Sequence, residues 1–116
     1  MIRRFALTLV CLAGTAASAQ QFSADALIGL WEFTAYAEER DPGERTPVGV
    51  LFDFRPNGTL ISKMSTGDVE SHYSVDGMTI HYSDARGEQT WTVRAFEAGV
   101  SLVFENRGTL MYLERR

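Results

Sequence analysis

The two histidines of the chain, His72 and His81, are the residues whose type and spacing most directly suggest chemistry. Between them, Asp76-Gly77 favours a two-residue type I′ hairpin turn, because both residues tolerate positive φ. Counting outward from that turn places His72 directly opposite His81, with Glu70 two residues away on the same face. Two imidazoles and a carboxylate so arranged could bind a divalent metal ion.

The competing interpretation places both histidines in solvent, on the polar side of the hairpin. Structural zinc normally has four protein ligands, whereas the chain contains two histidines and one cysteine, Cys11. Solvent-facing histidines are therefore the favoured interpretation. No metal and no cofactor is predicted, and His72, His81 and Glu70 are the candidates if a metal binds.

Catalysis by a serine nucleophile has little support in the sequence. Ser71, Ser74 and Ser83 lie near a histidine, but none stands in the Gly-x-Ser-x-Gly pattern of a nucleophile elbow. The paired carboxylates Glu38-Glu39 lie at a strand end beside a loop, where solvated charge is the expected role. The chain is therefore predicted not to be an enzyme.

The first 19 residues have the pattern of a secretory signal peptide. Two arginines precede an apolar run, residues 5–13, that is too short to span a bilayer. Ala17-Ser18-Ala19 then fits the small-x-small site of signal peptidase. Cleavage is expected after residue 19, which leaves residues 20–116 as a single domain in the periplasm or outside the cell, with no stable membrane anchor.

The charge of the mature domain excludes several classes of partner. Loss of Arg3 and Arg4 with residues 1–19 lowers the basic count from 11 to 9, against 15 acidic residues, so the net charge is −6. Such a balance argues against nucleic acid and against anionic membrane surfaces. Cys11 leaves with the leader, so the domain must be stabilised by its core without disulfides.

The mature domain alternates apolar and polar residues with a period of two, which is typical of half-buried β-strands. Ser23 can cap one short helical turn before the first strand. In that strand, the alternation predicts that Trp31, Phe33, Ala35 and Ala37 share one face. In the central hairpin, the face predicted to be buried consists of Tyr73, Val75, Met78, Ile80 and Tyr82.

Eight such strands follow one another, joined mostly by tight turns rich in glycine, asparagine and aspartate. No helical period is long enough to cross between parallel strands, so an antiparallel meander is expected. The longest connection, residues 40–47, is predicted to be a solvated loop. Eight short strands can remove their unpaired edges only by closing, which predicts a small all-β barrel; a flattened sandwich is the alternative.

Four motifs carry a resemblance to the small bacterial lipocalin-like domains, and they span the whole mature chain. They are Gly29-Leu30-Trp31 at the first strand, Phe54-Arg55-Pro56-Asn57-Gly58-Thr59 and Tyr73-Ser74-Val75-Asp76-Gly77 at two turns, and Tyr112-Leu113-Glu114-Arg115 at the end. The resemblance implies a lipocalin-like barrel closed at one end by Trp31 beside Gly29. It also implies that Arg115, or else Arg116, covers the indole ring.

The resemblance further implies that the barrel binds a small hydrophobic or amphipathic ligand. The chain lacks a Thr-Asp-Tyr motif and a helix after the last strand, which favours a small or filled cavity. The alternative is therefore a filled barrel that acts through its surface as an accessory or inhibitor of another envelope protein. If a cavity exists, the residues predicted to line it are Phe52, Phe54, Tyr73, Ile80, Tyr82, Trp91 and Phe104.

Overall fold

The computed structural model describes residues 22–116, so the predicted signal peptide lies outside the described residues. One short helix precedes eight strands. They are α1 (Ala24–Leu27), β1 (Gly29–Glu38), β2 (Thr46–Phe54), β3 (Thr59–Met64), β4 (Gly67–Asp76), β5 (Thr79–Asp84), β6 (Gly87–Glu97), β7 (Ser101–Asn106) and β8 (Thr109–Arg115). Ser23 caps α1 by accepting a hydrogen bond from the backbone N–H of Ala26.

The strands form a closed antiparallel barrel in sequence order, and β1 pairs with both β2 and β8. The predicted fold, an all-β meander of eight strands with a short helical turn, is confirmed. Closure follows from the strand count, because it removes the unpaired edges that an open sheet would present. Within residues 22–116, no helix has the length and hydropathy needed to cross a membrane.

A bulge in β1 changes which of its side chains face the interior. The register shifts between Phe33 and Ala35 against both neighbouring strands, so the alternation of faces is displaced by one residue. Tyr36, paired with Met111, therefore lies on the inner face, and Ala37 is on the outer face. The predicted common face of Trp31, Phe33, Ala35 and Ala37 is wrong beyond Phe33.

The hairpin of β4 and β5 has a different register from the predicted one. Asp76 pairs with Thr79, so the two turn residues are Gly77 and Met78. Gly77 has a φ of +62°, and among the described residues the one non-glycine with positive φ is Arg107. This combination fits a type II′ turn, in which glycine takes the first central position, and not the predicted type I′ turn.

The shift of the turn by one residue separates the two histidines. His72 pairs with Ser83 and His81 pairs with Ser74, so the predicted direct opposition of His72 and His81 is wrong. The two imidazoles are diagonal neighbours on the outer face. Met78 lies in the turn and is 49% exposed, so it is not a buried residue as predicted.

Candidate functional site

One end of the barrel is closed by α1 and Trp31. Leu27 and Trp31 are fully buried, and the Trp31 Nε1–H donates a hydrogen bond of 2.8 Å to the Leu27 carbonyl. The Arg115 guanidinium carbon lies 5.2 Å from the centre of the Trp31 ring. Arg115 also donates to the Ile28 carbonyl at 2.9 Å, so this side chain ties the end of β8 to the start of β1.

Gly29 provides the space in which the Arg115 side chain lies. Its φ is +129°, a region that L side chains rarely adopt, and a Cβ placed there would lie 2.6 Å from Cζ of Arg115. The structure therefore brings Gly29, Trp31 and Arg115 together at the closed end. Arg116, the alternative cation, instead donates to the Glu32 carboxylate at 2.7 Å.

The predicted cavity residues lie on the inner face and pack against one another. Trp91 stacks on Tyr82 with ring centres 4.6 Å apart, and on Phe104 at 5.4 Å. Phe52 stacks on the other side of the cluster, 6.4 Å from Trp91. One hydrophobic cluster contains Phe52, Phe54, Tyr73, Ile80, Trp91 and Phe104, with Tyr82 packed against it. These residues fill the lower interior, and their contact with a ligand stays a prediction.

We call the stacked side chains of Phe52, Tyr82, Trp91 and Phe104 the aromatic floor. Above it, the open end presents apolar side chains that the sequence analysis did not identify. Tyr36, Met64 and Val69 are 41%, 43% and 47% exposed. Their registers place them on the inner face of β1, β3 and β4, because Met64 follows Leu60 and Ser62 in alternation and Val69 pairs with Ser62. We call these three residues, with half-buried Val50 and Met111, the mouth.

Two side-chain amides lie on the β6–β7 side of the open end. The Gln89 Oε1 accepts hydrogen bonds of 3.1 Å from the Trp91 Nε1–H and from the Asn106 Nδ2–H. Both amides are half-buried and inward-facing, since Gln89 pairs with Tyr82 and Asn106 continues the alternation of Phe104. This amide pair is fixed to the aromatic floor through Trp91.

A carboxylate stands near the amide pair at the same rim. The Asp84 side chain is 12% exposed and accepts a hydrogen bond of 2.8 Å from the Tyr82 hydroxyl. The backbone N–H of Arg86 first, and then the Tyr82 hydroxyl, hold the pKa of Asp84 below its usual value. Burial raises the pKa of the Tyr82 phenol, so Tyr82 stays a donor and Asp84 stays ionised at neutral pH.

A polar concavity of about 910 Å³ lies on the outer wall, across β4, β5 and β6. Registers place His72, Ser83 and Glu88 in one row of its outward-facing side chains, and Ser74, His81 and Thr90 in the next. Inward-facing Tyr73, Tyr82, Gln89 and Asn106 complete the lining with Arg107 of the β7–β8 turn. The concavity therefore lies on the outer face of these strands and meets the rim at Asn106 and Arg107.

The histidines lie on the outer face, as the favoured interpretation has them, and both are exposed. Glu70 pairs with Ile61 on the same face. In the part of the chain that the structure describes, no three or more His, Cys, Asp or Glu side chains converge as metal ligands would.

The loop between β1 and β2 is held against the outer wall. The Arg45 guanidinium lies 3.8 Å from the centre of the Tyr112 ring. Arg94 of β6 forms an ion pair with Glu39 and a second one with Glu105 at 3.4 Å. A second concavity of about 480 Å³ lies at the foot of this loop, beside Arg107.

No protein-family model matches the chain, and no curated protein matches it at a significant level. Two solved structures share the fold. A lipocalin-like protein from Bacteroides uniformis has a TM-score of 0.64 at 20% identity, covering 78% of this chain and 99% of its own. An uncharacterized protein from Bacteroides eggerthii has a TM-score of 0.62 at 14% identity, covering 77% of this chain and 98% of its own. The chain therefore has a lipocalin-like barrel fold.

Proposed function

We propose that this lipocalin-like barrel binds a small amphipathic molecule at its open end. The observation that carries the proposal is the exposure of Tyr36, Met64 and Val69, three large side chains on the inner face of the barrel. Apolar surface of this kind is buried when an apolar group enters the mouth, at a gain of roughly 25 cal/mol per Å² before the cost of association. A ligand is the natural occupant, because the side chains face inward.

The aromatic floor limits how far a ligand can enter. Phe33 packs on Phe52 with ring centres 5.5 Å apart, and Phe52 stacks on Trp91, so the space below the mouth is occupied. A short apolar group therefore lies on this floor, and the rest of the molecule extends toward the polar side chains of Gln89, Asn106 and Asp84 at the open end. Such a division favours an amphipathic ligand over a wholly apolar one.

The proposal places the protein in the periplasm or outside the cell, on the strength of the leader pattern in residues 1–19. The role is binding, without catalysis and without a cofactor. Nucleic acid is not among the proposed partners because of the acidic charge.

The test uses the neutral fluorescent probe N-phenyl-1-naphthylamine. The wild-type barrel should bind it, and the double variant Met64→Ser/Val69→Thr should bind it about tenfold more weakly, since each lost apolar contact costs up to about 1 kcal/mol. Met78→Ser/Val100→Thr is the matched control, because these side chains are 49% and 51% exposed at the turns of the closed end. A wild type that does not bind, or equal losses in both double variants, would refute binding at the mouth.

A second candidate function rests on the ordered β1–β2 loop. Because Arg45 and Glu39 hold this loop to the wall, it offers a preformed surface to another envelope protein. The packed aromatic interior is compatible with such an accessory or inhibitor role. Deletion of residues 41–46 should then abolish capture of the partner and leave probe binding intact; retention of every captured partner would dismiss this candidate.

A further inference from the structure

The hydrogen bonds of the amide pair determine which of its atoms can meet a ligand. The Gln89 Oε1 is occupied by two donors, one from Trp91 and one from Asn106, so the amide of Gln89 is held in one orientation. Within residues 22–116, the Gln89 Nε2 and the Asn106 Oδ1 have no hydrogen-bond partner. The pair therefore leaves one N–H donor and one carbonyl acceptor for a ligand.

The amide pair lies next to the mouth along the rim. Asn106 pairs with Thr109 while Phe104 pairs with Met111, so Asn106 and Met111 are diagonal neighbours on the inner face. Met111 in turn pairs with Tyr36. The amide pair and the mouth therefore share the inner face, so the polar group of a ligand whose chain lies in the mouth would be placed against the amides.

Charges at this rim disfavour an anionic polar group. Asp84, two residues from the partner of Gln89, is ionised and only 12% exposed, and Glu38 faces inward beside Thr109. Arg86 and Arg107 are cations at this rim, but both side chains are exposed and Arg86 already lies 3.7 Å from the Asp84 carboxylate, so each contributes little attraction for an anion. An anion would also face the Asn106 Oδ1, which is an acceptor. A neutral group with both a donor and an acceptor satisfies the pair.

We propose that Gln89 and Asn106 recognise a carboxamide, or another neutral group with adjacent N–H and C=O, on the ligand of the mouth. This inference rests on the proposed function, because it assigns the polar half of the same ligand. The ligand class is then a medium-chain amide or a related lactam, rather than a fatty acid. The Trp91 indole should respond to binding of this group, because its N–H and the Asn106 Nδ2–H donate to the same Gln89 oxygen.

The experiment compares decanamide with decanoate at pH 8, each displacing N-phenyl-1-naphthylamine from the full barrel. Decanamide should bind about tenfold tighter, as expected for one or two net hydrogen bonds. Asn106→Leu and Gln89→Met should each bring the ratio close to one, with the affinity of each variant for the probe measured directly and used to calculate the two displacement constants. Thr90→Val, next to Gln89 on the outer face, is the matched control and should keep the tenfold preference.

Failure of this inference differs from failure of the proposed function. If decanoate binds as tightly as decanamide and Arg107→Gln weakens only decanoate, the polar group is an anion and the inference is overturned, while probe binding at the mouth stands. If neither compound displaces a bound probe, the inference also falls. Should Gln89→Met fold poorly, the side-chain amide resonances of wild-type Gln89 and Asn106 must shift on addition of decanamide; unchanged resonances refute the contact.

Discussion

The contact of Gly29 with Arg115 predicts a measurable coupling between the two positions. In Gly29→Ala, the positive φ of +129° costs about 1 to 3 kcal/mol, because a side chain is strained there. The new Cβ would also displace the guanidinium, since it would otherwise lie 2.6 Å from Arg115 Cζ. That displacement removes a cation–π contact of about 0.5 to 2 kcal/mol and a hydrogen bond of roughly 1 kcal/mol.

In an Arg115→Ala background, the guanidinium is absent and only the backbone strain remains. Gly29→Ala should therefore cost about 2.5 to 6 kcal/mol in the wild type and about 1 to 3 kcal/mol in Arg115→Ala. The coupling free energy of the double-mutant cycle should be about 1.5 to 3 kcal/mol. A domain of this size has about 5 to 15 kcal/mol of total stability, so all four proteins stay folded when the wild type has more than about 6 kcal/mol.

Urea unfolding followed by tryptophan fluorescence measures each free energy of unfolding. Gly67 supplies a matched control, because its φ is +126° and a Cβ there would meet no atom within 4 Å. Gly67→Ala should lose the same free energy in both backgrounds. If the cycle with Gly29 is additive to within about 0.5 kcal/mol, Arg115 does not depend on the space at Gly29 and the reasoning is refuted.

Three further predictions concern the interior and the hairpin. Tyr82→Phe should raise the pKa of Asp84 toward its ordinary value in an NMR titration. Because a low folded-state pKa stabilises the protein above about pH 4, the difference in free energy of unfolding between variant and wild type should shrink as the pH falls through that pKa. A difference that does not change with pH would contradict the role of the hydroxyl. Gly77→Ala should destabilise the protein by about 1 kcal/mol or more, whereas Met78→Asn should change its stability in urea little. A larger loss in Met78→Asn than in Gly77→Ala would contradict the type II′ turn and support the type I′ turn. Trp91→Leu should cost about 2 to 4 kcal/mol in the same assay because it leaves a cavity among stacked rings, and a loss below about 1 kcal/mol would show that the floor is loosely packed.

The fold could be predicted from the sequence because its signals are local and repeated. The alternation of residues such as Trp91 and Val93, and turn residues such as Asn57-Gly58, each depend on near neighbours in the chain. Once the strands were counted, closure followed from the need to pair edges. The order and direction of the strands required no information beyond this.

Several features of the candidate site and of the hairpin could not be predicted, because they depend on single-residue shifts of register. The bulge between Phe33 and Ala35 has no glycine or proline to mark it, yet because of it the Tyr36 side chain faces the interior of the mouth. The observed turn, Gly77-Met78, is one residue further along the chain than the predicted turn, Asp76-Gly77. The same sequence is compatible with a type I′ turn at Asp76-Gly77 and with a type II′ turn at Gly77-Met78. The amide pair joins β6 to β7 through side chains, for which no sequence pattern exists.

The pairing of β1 with β8 has a consequence for the order in which the barrel can form. Arg115 and Ile28 are hydrogen-bonded although they lie 87 residues apart in the chain, so the final seam cannot form until the end of β8 is available. Contacts of such long separation slow folding, because the entropy of loop closure is lost before the contact stabilises anything. A chain still emerging from a ribosome or a translocation channel therefore has an open edge on β1. The barrel, with its closed end and its mouth, therefore forms only once β8 is available to pair with β1.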